Sequence, residues 1–150
     1  MHSFLQKREL GRHAFEERMP DRIANIISEE TERNRVRNVI PKLAQYLQQD
    51  SDSGKAYLCT TEVVQVHKLK NEGGHFCGYR NIQMLLSCLP FWKTSLESKS
   101  SLDKCSIFDI QEMIERAWDA GFNPHSRTAT GGIRGSRKHI GTPEVCRAHA

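Results

Sequence analysis

The residues best suited to chemistry form one run: Gly73-Gly74-His75-Phe76-Cys77-Gly78-Tyr79-Arg80-Asn81, leading directly into Ile82-Gln83-Met84-Leu85-Leu86-Ser87-Cys88-Leu89. Glycines on both sides of a cysteine, followed by an apolar helical pattern, put the Cys77 thiol at a helix N-terminus. First-turn amides have no intrahelical partner, and the helix dipole adds partial positive charge there. Such a place favours the thiolate, which is the nucleophilic form of cysteine. A buried structural cysteine is the alternative that these local features leave open.

No second chemical signal competes with this one. The cysteines Cys59, Cys77, Cys88, Cys105 and Cys146 are an odd set of five with no C-x-x-C pair. Neither a disulfide framework nor a zinc site is indicated, so no metal and no cofactor is expected, and a reducing compartment, cytoplasmic or nuclear, is inferred. Cys59 and Cys88 read as core residues, whereas Cys105 and Cys146 read as exposed. The net charge of +4 is mild. Arg134, Arg137 and Lys138 carry no interleaved aromatics, so they read as a solvated loop, and a nucleic-acid partner is disfavoured. No apolar run is long enough for a membrane span or a signal h-region, which argues against a membrane partner.

Several elements must position the thiol. Hydrophobic residues make up 37% of the 150 residues and charged residues 27%, a polar balance that suits one domain with solvated ends. Residues 1–20 scatter Phe4, Leu5, Leu10, Ala14, Phe15 and Met19 among charges. Pro20 then opens a helix with Ile23, Ile26 and Ile27 on one face. Residues 29–37 alternate in sign and read as a solvated helix surface, and Pro41 breaks or restarts that helix. Residues 48–54 are a loop by composition. The β-branched and aromatic runs Ala56-Tyr57-Leu58-Cys59 and Val63-Val64-Gln65-Val66-His67 predict one or two short strands. The helix from about Gly78 buries Ile82, Leu85, Leu86 and Leu89 and stops at Pro90. Residues 91–104 read as an exposed linker, with Phe91 and Trp92 tucked against the domain. Ser106 caps a further helix, with Asp109 or Glu112 acidic near its start, whose face is Ile110, Met113, Ile114, Ala117 and Trp118, and Gly121 closes it. The last thirty residues show no periodicity.

With these elements in order, the C-G-Y-R-N run at Cys77 followed by Q-M-L-L resembles the papain-like cysteine peptidases that process ubiquitin-fold modifier, and the related zinc-finger-containing ubiquitin peptidases and their fungal counterparts. Ala56-Tyr57-Leu58-Cys59 is similar to the strand before that family's active-site loop. Ile110-Gln111-Glu112-Met113-Ile114 through Ala117-Trp118 and Gly121-Phe122 is similar to the helix after it. Gly135-Ser136-Arg137-Lys138-His139-Ile140-Gly141-Thr142 with Glu144 is similar to a later loop, and Glu9-Leu10-Gly11 with Met19-Pro20 to the start of fungal members. The resemblance spans about residues 9–145.

The resemblance implies an α+β papain-like fold, with residues 1–20 as an N-terminal lead-in and residues 21–150 as the N-terminal part of a cysteine peptidase domain. It implies that Cys77 attacks the carbonyl at the C-terminal glycine of ubiquitin or a ubiquitin-like modifier, giving a thioester that water hydrolyses. The partners would be that modifier and its conjugates. The Cys77 backbone N–H is the expected oxyanion donor. Gly73 and Gly74 either admit a narrow diglycine tail or simply make a tight turn. His75 supplies loop structure or a polar contact near the oxyanion, Tyr79 positions substrate or neighbours, and Arg80 and Asn81 satisfy loop carbonyls. His67 and His139 read as structural, and His125, in Asn123-Pro124-His125, as a turn residue rather than a base. The family orients its thiol with a histidine and an aspartate downstream of the loop matched by Gly135 to Glu144. Those positions are not found before Ala150, so a C-terminally truncated and catalytically impaired chain is expected. A non-catalytic ubiquitin-binding or ubiquitin-like-binding module, or an inactive fragment, is the rival.

Overall fold

The computed structural model describes residues 11–29, 32–50, 54–58, 60–88 and 104–141. In chain order these form α1 (Asp21–Ser28), a 3-10 turn (Glu32–Asn34), β1 (Arg35–Val36), α2 (Val39–Gln49), β2 (Gln65–Val66), α3 (Cys77–Cys88), α4 (Ile107–Asp119) and α5 (Pro124–Thr130). The class is α+β and helix-rich. Its two strands pair antiparallel, Arg35 opposite Val66 and Val36 opposite Gln65.

The core lies where α3 meets α4. Ile82 and Leu86 from α3 join Ile107, Ile110 and Ile114 from α4, with Ile27 of α1 and Ile133 added, all buried in one cluster. Each such side chain contributes about 1.5–3 kcal/mol by leaving water. α4 is well specified at both ends. The Ser106 hydroxyl accepts from the Asp109 amide at 3.1 Å, while Asp109 Oδ2 accepts from the Ser106 amide at 2.8 Å, a reciprocal capping box. At the other end Gly121, at φ +88°, lets its own amide reach Trp118 O and the Phe122 amide reach Ala117 O, which satisfies carbonyls the helix leaves open.

Several expectations change. Within residues 29–37 the described residues are not a helix surface: α1 ends at Ser28, and Glu32–Asn34 form the 3-10 turn that leads into β1. The cause is non-local, because the His67 amide donates to Asn34 O at 2.8 Å and Asn34 Nδ2 donates to His67 O at 3.1 Å. Only Gln65 and Val66 form a ladder, and residues 56–58 have no strand pairing. Pro41 lies in the first turn of α2, where its missing N–H costs nothing. α2 has no fully buried residue, and Leu43 and Tyr46 are exposed. The buried face of α3 is rotated from the apolar pattern: Leu85 is 42% exposed, while Arg80 and Gln83 are buried. α5 arises in a stretch where no helix was expected. Cys59, Leu89, Pro90, Phe91, Trp92, Thr142, Glu144 and Cys146 lie outside the described residues.

Candidate active site

The loop before α3 is shaped by backbone geometry and then anchored by charge. Asn71 and Gly73 take left-handed conformations at φ +69° and +89°. A Cβ at Gly73 would come within 3.3 Å of the His75 ring, so glycine lets that ring close over the turn. Glu72 is turned inward, where its carboxylate accepts from Arg80 Nη2 at 2.5 Å, from Arg80 Nε at 3.4 Å and from the Leu69 amide at 2.8 Å. Arg80 Nη1 donates to Gln83 Oε1 at 2.8 Å, and Gln83 Nε2 donates to Cys105 O at 2.8 Å. Arg80 therefore holds a carboxylate, where loop carbonyls were expected to be its partners. Cys105 is buried beside this network, not exposed.

Phe76 is buried and its ring lies 6.0 Å from that of Tyr79, so the residues flanking the cysteine point into the core. Cys77, the first residue of α3, is exposed, and its thiol has no hydrogen-bond partner among the described residues. Behind it the chain approaches closely. A Cβ at Gly78 would lie 2.7 Å from Ile140 Cγ1 and 3.2 Å from Ile140 O, and Tyr79 Oη donates to Lys138 O at 3.2 Å.

The segment carrying Lys138 and Ile140 is stapled to α4. Gln111 Nε2 donates to Ser136 O at 2.9 Å, the Gly135 amide to Gln111 Oε1 at 2.8 Å, and the Ile133 amide to Glu115 Oε1 at 2.6 Å. Lys138 Nζ is buried on Thr130 O and Gly132 O, at 2.7 and 2.8 Å. Arg134 pairs with Glu112, whose carboxyl that guanidinium hydrogen bond holds below its ordinary value. The basic cluster expected as a solvated loop is thus largely committed to internal partners.

A second segment, residues 11–19, reaches the cysteine loop from the other side. Ala14 and Met19 are buried, and the Met19 amide donates to Gly135 O at 2.7 Å. Glu16 grips Arg137, accepting from its amide at 2.7 Å, from Nε at 2.9 Å and from Nη2 at 2.5 Å. Burial pushes the Glu16 carboxyl up, but these hydrogen bonds and the Arg137 charge outweigh it and leave the group below its ordinary value. His13 meets His75 edge-on with ring centroids 4.2 Å apart, and the His139 ring lies 5.6 Å from that of His75, also edge-on. Burial lowers His75, helped by the charges of His13, Arg12, His139 and Arg137. Burial also lowers His13, with Arg137 adding and Glu16 opposing.

Of the residues singled out from the sequence, the structure puts Cys77, Gly73 and Gly74 at the surface. It turns His75 and Tyr79 inward, at 8% and 0% exposure. Tyr79 therefore acts on its neighbours rather than on a substrate, and His75 meets two histidines. His67 and His125 are exposed, His67 just after β2 and His125 in α5. Arg12, His13 and Glu16 were not foreseen beside the loop, since Arg12 and His13 lie 63 and 62 residues from His75 in sequence and nothing local signals the contact.

Residues 52–148 match the model of peptidase family C78. Proteins curated as zinc finger-containing ubiquitin peptidase 1 are similar over part of their length. The Homo sapiens protein is 34% identical over 111 residues, covering 71% of this chain and 19% of the relative. The Rattus norvegicus protein is 32% identical over 108 residues, with the same coverage of 71% and 19%. The Mus musculus protein is 29% identical over 133 residues, covering 87% of this chain and 23% of the relative. The chain spans about a fifth of the length of the curated relatives it matches.

Proposed function

Since this chain belongs to peptidase family C78, we propose that it is a papain-like thiol isopeptidase region in which Cys77 cleaves after the C-terminal glycine of ubiquitin or a ubiquitin-like modifier. The observation that carries the reading is the exposed thiol at the first residue of α3, inside the family-matched span, with Phe76 before it and Tyr79 after it buried in the core. Cys77 Sγ attacks the carbonyl carbon of the scissile bond, and the carbonyl π electrons move to oxygen. Collapse expels the lysine amine, which leaves with a proton, and gives a thioester. Water then cleaves the thioester to the free carboxylate and regenerates the thiol.

The Cys77 N–H is among the first-turn amides that helix geometry leaves open, and it serves as the oxyanion donor. Gly74, three residues before the thiol, has open space where a Cβ would stand and leaves room for a diglycine tail. His13 and His75 hydrogen-bond each other, so neither is assigned as the base. Hydrolysis without general-base assistance is slower by about 10²–10⁴-fold, so acylation followed by slow turnover is the expected behaviour of these 150 residues. An odd set of five cysteines with no C-x-x-C pair suits a reducing compartment, cytoplasmic or nuclear.

The test is covalent capture. Ubiquitin and ubiquitin-fold modifier, each carrying a C-terminal electrophile, are offered to the folded chain and to Cys77→Ala. Labelling of the wild type by either probe and none of the variant is expected. Folded wild-type protein that resists both probes overturns the peptidase reading in favour of a non-catalytic module.

A further inference from the structure

Arg12 Nη2 and His13 Nε2 each lie 3.1 Å from the same atom, His75 Nε2. A guanidinium only donates hydrogen bonds. His75 Nε2 is therefore the acceptor, its ring is neutral, and its proton sits on Nδ1. That Nδ1 is buried with no partner among the described residues. A second proton on this ring would have to enter at Nε2, where two donors already converge, in a side chain shielded from water. Burying a charge without a counter-charge is strongly unfavourable.

The surroundings offer no relief. From residues 11–19, Arg12 and His13 face His75, and from the segment after α5, His139 and Arg137 do so, every one of them disfavouring positive charge on it. Glu16 is held by Arg137 and lies 3.6 Å from His13 Nδ1, the ring nitrogen other than the one bonded to His75. Within the loop itself, the Glu72 carboxylate is taken by Arg80.

We infer that His75 is a proton-operated latch between residues 11–19 and the loop that carries Cys77, closed while its ring is neutral and opened when the ring is protonated. Opening expels the Arg12 and His13 side chains and frees the turn that Gly73 lets the ring cover. The latch is independent of whether Cys77 is catalytic. Its direction follows from linkage: the closed form binds the proton less readily than a free histidine, whose ordinary value is 6.5. Closure is therefore at full strength above that pH and is lost as pH falls below it. Glu16 keeps its charge through this range, because its carboxyl sits below the ordinary 4.5. Opening thus begins as pH falls below 6.5, while Glu16 still carries its charge.

Amide hydrogen exchange of the 150-residue chain tests this, with peptides covering residues 11–19 and 71–79 followed from neutral pH down to 4.5 and corrected for intrinsic rates. Protection in both should fall about tenfold per pH unit once the ring protonates, while α4 stays protected. His75→Gln keeps an acceptor that does not titrate, and its acid-dependent loss should vanish. Should that variant lose α4 protection too, His13→Gln decides: removing a positive neighbour should move the transition up towards 6.5. Protection in the wild type that does not change with pH, an unchanged transition in folded His75→Gln, or an unmoved midpoint in His13→Gln would each overturn the latch.

Discussion

Replacing Arg80 by methionine removes one charge from the interior while keeping most of the side chain's length. The partner is then stranded. Glu72 is 1% exposed and Arg80 5%, and without the guanidinium the carboxylate retains, among the described residues, the Leu69 amide as donor at 2.8 Å. Gln83 also loses the Arg80 donor that orients its amide towards Cys105. Removing one member of a buried pair costs about 3–5 kcal/mol, most of it the penalty of the charge left behind. Against a total stability of about 5–15 kcal/mol, that loss is severe. At about 2–4 °C per kcal/mol for a domain of this size, the melting temperature should fall by roughly 6–20 °C.

The double substitution Glu72→Gln with Arg80→Met removes both charges and should recover part of the loss, so the two changes are non-additive by roughly 0.5–3 kcal/mol. Urea denaturation followed by circular dichroism measures all four proteins. An Arg80→Met protein within about 1 kcal/mol of wild type, or strict additivity, would refute the claim that this pair holds the cysteine loop to α3.

Two further perturbations separate competing effects by sign. Gly78→Ala should stabilise the chain by about 0.5–1 kcal/mol if helix propensity decides, but the 2.7 Å approach to Ile140 Cγ1 predicts a loss of about 1–3 kcal/mol, partly relieved by adding Ile140→Ala; urea midpoints that rise for Gly78→Ala would refute the close approach. Glu16→Gln should cost about 1.5–3 kcal/mol at neutral pH, the range for hydrogen bonds to a charged group. Because the Glu16 carboxyl lies below its ordinary 4.5, that contribution is present above 4.5 and lost as pH falls through the depressed value, so stability curves of the two proteins against pH should converge in acid; a constant gap would argue against it.

What could be read from the sequence was what short-range physics decides. Pro20 before α1, Ser106 with Asp109 at the start of α4 and Gly121 after its end are signals completed within one turn of chain, and each stands where expected. The cysteine at the start of α3 was legible for the same reason. Apolar periodicity misjudged the face of α3 because it assigns Arg80 and Gln83 to water. The Glu72 carboxylate and the Cys105 carbonyl, which make their burial tolerable, come from elsewhere in the chain. The charged stretch at residues 29–37 failed likewise, since the partner that makes it extended is His67.

Non-local side-chain contacts also hold the candidate site. Among the described residues the two strands of two residues each cannot fix a loop, so its geometry falls to side-chain contacts: Glu72 to Arg80, Tyr79 to Lys138, Gln111 to Gly135 and Ser136, and Glu16 to Arg137. Three of these four connections are buried, and buried interactions are screened by salt far less than exposed ones. The Arg134–Glu112 pair, about half exposed at each end, has no such protection. The loop that presents Cys77 is therefore insulated from ionic strength but not from protons, because its outer wall includes His75, whose contact with the Arg12 guanidinium requires its ring to be neutral.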